Sequence, residues 1–312
     1  MSGRPGRRSG RRRGRRRATG AALAAVLVVG AGATAGVVWF LGRVDTPSVQ
    51  RCAAALDGTS WYLTPVQADN AALIVGASVQ RGLPGRAATI GLATALQESR
   101  LVNIDYGDRD SVGLFQQRPS QGWGTVDEIM DPVYSTGKFY DGLVKVEGYE
   151  DLEVTVAAQA VQRSGFPEAY AQHETRSRAW ASALTGHSPG AITCDLPPTE
   201  DDQAPSGAAA RDLLAERAAR DLGLPADALR ADTSGTSDTD VNAVVVDAAV
   251  VPLDGDLATW AVAHWAVATA SVTGAQEVTA DARTWTREDG TWTTVDDDAD
   301  RRPDGQVRIV LS

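Results

Sequence analysis

Ala95-Leu96-Gln97-Glu98-Ser99-Arg100, followed by Gly113-Leu114-Phe115-Gln116-Gln117, is the pair of stretches on which the reading of this chain turns. Ile90, Ala93, Thr94 and Gln97 recur at helical spacing over 86–99, so Glu98 falls in the last turn of a helix. There the negative helix end, and any burial, favour the protonated carboxyl. The second stretch is a glycine-containing loop with two carboxamides, Gln116 and Gln117. An amide presents both a donor and an acceptor, which suits the hydroxyl and N-acetyl groups of a sugar. Tyr106, Phe115 and Trp123 add flat apolar surfaces of the kind sugar faces stack on, although Trp123 reads equally well as a core aromatic.

Outward from this block the chain reads as helical over 61–187, with no strand pattern. Thr64-Pro65 starts a helix over 66–80 with Ile74, Val75 and Val79 on one face, and Gly82-Leu83-Pro84-Gly85 breaks it. Residues 103–124 are loop, and further helices are expected at about 125–146, 153–163 and 167–184. From 188 to 207 the composition shifts to Pro, Asp, Thr and Ser, as in a linker.

Beyond it, 208–222 is an amphipathic helix closed by Gly223. Four extended runs follow at 241–251, 258–272, 276–287 and 306–311. In the third, Val278, Ala280, Ala282 and Thr284 alternate with Glu277, Thr279, Asp281 and Arg283. Asp289-Gly290 signals a turn into a short strand at 291–295. The pattern predicts a small α+β domain over 208–312, one helix against an antiparallel sheet. Its sequence names no partner.

At the other end, residues 1–17 carry nine arginines and no acid, and 18–42 carry no charge at all. As a helix, 18–42 would span roughly 37 Å at ~1.5 Å per residue, enough to cross a bilayer. Trp39 and Phe40 suit an interfacial end. The positive-inside rule then puts 1–17 in the cytoplasm as a basic tail and 43–312 outside, beginning with a juxtamembrane segment over 43–60. The competing reading is a leader cleaved near Ala33-Thr34-Ala35. Removing nine arginines from a net charge of -10 leaves -19 for the rest of the chain, which repels polyphosphate and argues against nucleic acid as a partner. The acidic run 296–300 reads as a solvated turn.

Cys52 and Cys194 bracket the helical block. Outside the cytoplasm they suit a disulfide pinning both ends of one domain; two buried thiols are the other reading. His173, His187 and His264 show no zinc spacing, and no phosphate loop is present. No metal and no cofactor are expected.

Glu98-Ser99 followed by Gly113-Leu114-Phe115-Gln116 resembles the Glu-Ser and Gly-Leu-Met-Gln motifs of the soluble lytic transglycosylase and goose-type lysozyme group. The wider unit from Gln97 to Trp123 resembles the lysozyme-like domain of many membrane-anchored actinobacterial proteins. The resemblance covers roughly 60–187 and implies a mainly α lysozyme-like fold with Glu98 at a cleft that binds peptidoglycan strands. It gives substrate-binding roles to Ser99, Gln116, Gln117 and Trp123. The family's Ala-Tyr-Asn motif is absent; Ala160-Val161-Gln162 stands nearest, which puts Gln162 in the place of the asparagine, while Tyr170 stands for a tyrosine beside the acid.

In the implied mechanism one glutamate acts alone. It protonates the glycosidic oxygen between N-acetylmuramic acid and N-acetylglucosamine, then takes the proton of the muramyl C6 hydroxyl as a 1,6-anhydro ring closes. Hydrolysis would need a second carboxylate. Asp105, Asp108 and Asp110 are its candidates, and solvent-facing turn residues are their simpler reading. The missing motif leaves open a non-catalytic, wall-binding or scaffolding protein with a degenerate cleft.

Overall fold

Thr64 and Gln67 start the first helix of the computed structural model by capping each other. The Thr64 hydroxyl accepts from the Gln67 amide at 3.3 Å, and the Gln67 side chain accepts from the Thr64 amide at 2.8 Å. The structure describes residues 50–198, 205–232, 242–295 and 301–312. The expected basic tail at 1–17, the membrane span at 18–42 and the acidic turn at 296–300 lie outside the described residues. Among the described residues, no helix is long and apolar enough to cross a membrane.

Six helices build the first part: α1 (Pro65–Gln80), α2 (Gly85–Ser99), α3 (Val126–Met130), α4 (Pro132–Leu143), α5 (Val154–Gln162) and α6 (Glu174–Leu184). The single helix expected over 125–146 is two. Asp131 takes an extended conformation and caps α4 through Val133 N, with Pro132 at its first position. α2 is central, packed by α1, α4, α5 and α6. Its small residues permit this. A Cβ added at Gly91 would lie 2.7 Å from Tyr140 Oη, which itself donates to Ile74 O at 3.0 Å.

Strand is found where a juxtamembrane segment (43–60) and a linker (188–207) are expected, and at 61–63 it enters the 61–187 stretch expected to have none. Short strands β1 (Arg51–Leu56), β2 (Thr59–Leu63) and β3 (Ile192–Asp195) form an antiparallel sheet in the order β2-β1-β3. Cys52 and Cys194 sit opposite each other on β1 and β3 and form a disulfide. It closes a loop of 142 residues, worth about 5 kcal/mol in the chain-entropy account.

The remainder contains α7 (Gly207–Leu222), β4 (Leu229–Ala231), β5 (Ala243–Asp247), α8 (Gly255–Ala268), α9 (Ala270–Thr273), β6 (Ala275–Ala280), β7 (Arg283–Thr286), β8 (Trp292–Thr294) and β9 (Gln306–Leu311). The sheet is antiparallel, in the order β4-β5-β9-β6-β7-β8. Two expectations fail here. The run at 258–272 is helix, not strand, so the sheet is accompanied by more than one helix. Its Val and Trp residues imitate a strand, yet from Ala258 to Ala268 every residue is buried, as happens when a helix is covered on all sides. The run at 276–287 is a hairpin, turned at Asp281 with φ 51°.

Val49–Ser312 forms one compact unit. α7 lies on α1, and α8 touches α1, α6 and β3. His264 of α8 is fully buried and neutral: burial lowers its pKa to about 4, its Nδ1 is 2.7 Å from Ala183 O, and its Nε2 accepts from Ala191 N at 3.1 Å. Arg217 on α7 bridges Asp69 of α1 and the fully buried Asp221, which also accepts from Trp265 Nε1 at 3.0 Å. A buried arginine between two carboxylates, with Asp221 also accepting from Arg220 and Trp265, meets the condition under which buried charge is tolerated.

Candidate active site

Glu98 occupies the end of α2, where the chain leaves the helix through two left-handed residues, Arg100 (φ 57°) and Leu101 (φ 59°). Such a pair is unfavourable for residues with a Cβ and needs external support. α1 supplies it: Gln67 Nε2 donates to Arg100 O at 2.7 Å, and Asn70 Nδ2 to Leu101 O at 2.9 Å. Gln67 is marked only as the capping partner of Thr64, and Asn70 carries no motif. Its one sign in the sequence is that it is a polar residue among the apolar positions of α1.

The carboxyl is half-buried. Burial is the largest influence and raises its pKa above the ordinary 4.5. Two groups oppose that rise by favouring the charged form. Tyr170 Oη donates to Glu98 Oε1 at 2.6 Å, and the Gln162 amide lies against the same carboxyl. Tyr170 is fully buried, and burial together with the Glu98 charge pushes its own pKa up, so it acts as a fixed donor.

The loop carrying the second motif is stitched to this corner. Ser99 Oγ lies 2.7 Å from Leu114 O and 3.1 Å from Ala95 O, so Ser99 holds the loop with its hydroxyl from a buried position. Gln162, at the end of α5, donates from Nε2 to Phe115 O at 2.8 Å, while its buried Oε1 has no partner among the described residues. Glu98, Ser99, Gln162 and Tyr170 therefore meet around the Leu114–Phe115 backbone.

The other residues singled out from the sequence lie around this group. Gln116, at φ 46°, turns its Nε2 to Tyr106 O at 3.2 Å and Gly113 O at 3.3 Å, steadying the loop at 104–113. Gln117 is buried and donates to Ser135 O of α4 at 2.9 Å. Trp123 is half-buried and lines a cavity of about 620 Å³ together with Gln162. Phe115, expected as a sugar surface, is instead core: fully buried, it stacks on Phe139 at 4.7 Å. Two exposed aromatics stand in the loops here, Tyr106, at 71% exposure, and Phe166, at 77%, in the loop before Tyr170. Phe166 escapes a reading of the sequence because nothing marks a lone Phe-Pro as exposed.

Asp110 organises a turn. It accepts from Ser120 N at 2.8 Å, Arg118 Nε at 2.9 Å and Ser120 Oγ at 3.0 Å, which hold its carboxyl far below the usual range. Asp105 and Asp108 are exposed. Behind Glu98, His173 Nε2 lies 3.1 Å from Gln97 Oε1; burial and Arg176 lower the His173 pKa. Among the described residues, no group of His, Cys, Asp and Glu is arranged to hold a metal ion.

Set beside known proteins, the chain matches no family model, and no curated protein matches its sequence.

Proposed function

We propose that this protein cleaves the glycan strands of peptidoglycan, with Glu98 as its only catalytic carboxyl, on the outer side of a membrane in which 18–42 is the anchor. The observation that carries the reading is the Glu98 carboxyl itself: burial raises its pKa, Tyr170 fixes one oxygen, and it sits beside a loop tied down by Ser99 and Gln162. An acid raised by desolvation and held in one orientation is what protonation of a glycosidic oxygen requires.

In the proposed reaction neutral Glu98 gives its proton to the leaving oxygen. The carboxylate that results takes the proton of the muramyl C6 hydroxyl as this oxygen bonds to C1. Tyr170 and Gln162 steady the charged intermediate form of Glu98. A single-carboxylate scheme is supported by Asp110 being committed to Ser120 and Arg118, and by Asp105 and Asp108 standing in solvent. Tyr106 and Phe166 offer exposed flat surfaces for a polymer.

Digestion of purified cell-wall sacculi by the wild type and by Glu98→Gln tests this. Clearing by the wild type, with a loss of at least ~10³-fold in the variant, is expected. Equal clearing, or none by either, rejects it; the second result points to a protein that binds the wall without cutting it.

A further inference from the structure

Glu98 belongs to the last turn of α2, and helix ends are where helices fray, yet an acid that transfers a proton needs one fixed orientation. Whatever holds that turn is part of the site. The chain leaves it by wrapping back on the helix: Arg100 N donates to Leu96 O at 3.1 Å, and Leu101 N to Ala95 O at 3.0 Å. The carbonyls of these two left-handed residues accept from α1, Arg100 O from Gln67 and Leu101 O from Asn70. Leu101 is pinned a second time by its burial, whereas Arg100 is exposed, so its conformation leans on Gln67.

We propose that Gln67 is a positioning residue for Glu98, acting through the Arg100 carbonyl, with Asn70 as its companion one carbonyl further on. That the positioned carboxyl hands its proton to a glycan rests on the function proposed above. Both ends of the Gln67 amide are engaged. Its Oε1 accepts from Thr64 N at 2.8 Å, and its Nε2 donates to Arg100 O at 2.7 Å. The first contact fixes the side chain at the start of α1, so the second is made from a prepared position with little rotamer freedom left to lose. One side chain thus ties the start of α1 to the end of α2.

Without the Nε2 contact, the left-handed conformation of Arg100 carries the penalty of its Cβ with nothing from α1 to offset it. The last turn of α2 then loosens, and Glu98 moves away from Tyr170 and Gln162 toward water. The carboxyl itself reports this. Burial is what lifts its pKa, so a loosened turn brings the value back toward 4.5.

Carboxyl-carbon NMR titration of Glu98 in the full chain, read beside kcat and KM on purified glycan strands, tests the inference. Gln67→Met removes the donor at nearly constant shape. It should bring the Glu98 pKa down toward 4.5 and lower kcat at least ~10-fold while KM stays within about threefold. Thr64→Ala removes the hydroxyl half of the same helix cap and leaves the donor, so it should lower thermal stability without moving the Glu98 titration. Arg100→Gly, added to Gln67→Met, should restore the titration, because glycine adopts the left-handed conformation without the Cβ penalty. Arg100→Ala, which removes the same charge and keeps that penalty, should not. A titration that stays put in Gln67→Met, that moves as far in Thr64→Ala, or that Arg100→Ala restores as well as Arg100→Gly overturns the inference. The titration needs no substrate. If it behaves as expected while sacculi resist digestion by the wild type, the positioning stands and cleavage falls; if sacculi are digested and the titration does not move, cleavage stands and the positioning falls.

Discussion

Tyr170 Oη lies 2.6 Å from Glu98 Oε1, joining residues 72 positions apart in the chain. The contact pulls against burial, which dominates and raises the Glu98 pKa, while the phenol favours the anion. A general acid in a cycle that returns the proton needs both, since a group stabilised in one state alone would stall half the reaction.

Tyr170→Phe removes the donor and leaves the burial. The Glu98 pKa should rise further, so activity that depends on the protonated acid persists to higher pH. The alkaline limb of the pH–rate profile is expected to move upward, with turnover at the optimum down about 10-fold. An alkaline limb that stays put or moves down denies the contact its proposed role.

Glu98 also costs stability when charged. Its folded pKa lies above the ordinary 4.5, so the folded state holds the proton more tightly than the unfolded state, and stability drains away as pH rises through that interval. Glu98→Gln retains an acceptor for Tyr170 and cannot ionise. Thermal unfolding at pH 7 should show the variant at or above the wild type, with the gap closing as pH falls toward 4.5. A variant that is less stable at pH 7 would mean that the charged carboxyl is well accommodated.

If Glu98 works alone, the loop carboxylates are dispensable to the chemistry. Asp105→Asn and Asp108→Asn should keep turnover within about threefold, whereas loss of a true general base costs ~10²–10⁴-fold. Asp110→Asn is different, because its folded pKa is depressed. It stabilises its turn above the ordinary 3.8, and that contribution fades as pH falls below it. Faster amide exchange around Arg118–Ser120 is its expected signature. A collapse of turnover in Asp105→Asn or Asp108→Asn would identify a second catalytic group.

Asp221 is fully buried and takes bonds from Arg217, Arg220 and Trp265. Asp221→Ala leaves Arg217 with Asp69 alone and should cost about 3–5 kcal/mol in denaturant unfolding. α7 and α8 meet here against α1, so the loss should appear in one cooperative transition. Two separate transitions, or a cost under about 1 kcal/mol, would show the network to be incidental.

How much of this is legible in the sequence depends on the reach of each interaction. α2 and the position of Glu98 follow from local periodicity, and α7 follows from its apolar stripe and Gly223. The disulfide is one of two readings the cysteines allow, decided by the pairing of β1 with β3. Of that sheet, the β1–β3 pairing is hidden because it joins short strands more than a hundred residues apart, whereas β1 and β2 form a local hairpin turned at Asp57-Gly58, a signal present in the sequence. α8 misleads because a helix buried on all faces has no polar side to set its period, and its Trp260, Val262, Trp265 and Val267 fit a strand equally well. Phe115 resembles a binding aromatic because sequence does not give the direction of a loop side chain. The clamps from Gln67 and Asn70 are invisible for a similar reason: their acceptors are backbone carbonyls on another element.

Mass analysis of what the wild-type protein releases from purified sacculi addresses the central claim most directly. A lone Glu98 acting as acid and then base predicts muropeptides ending in 1,6-anhydro-N-acetylmuramic acid, with none released by Glu98→Gln. Products with free reducing ends, or the same products from the variant, would contradict it.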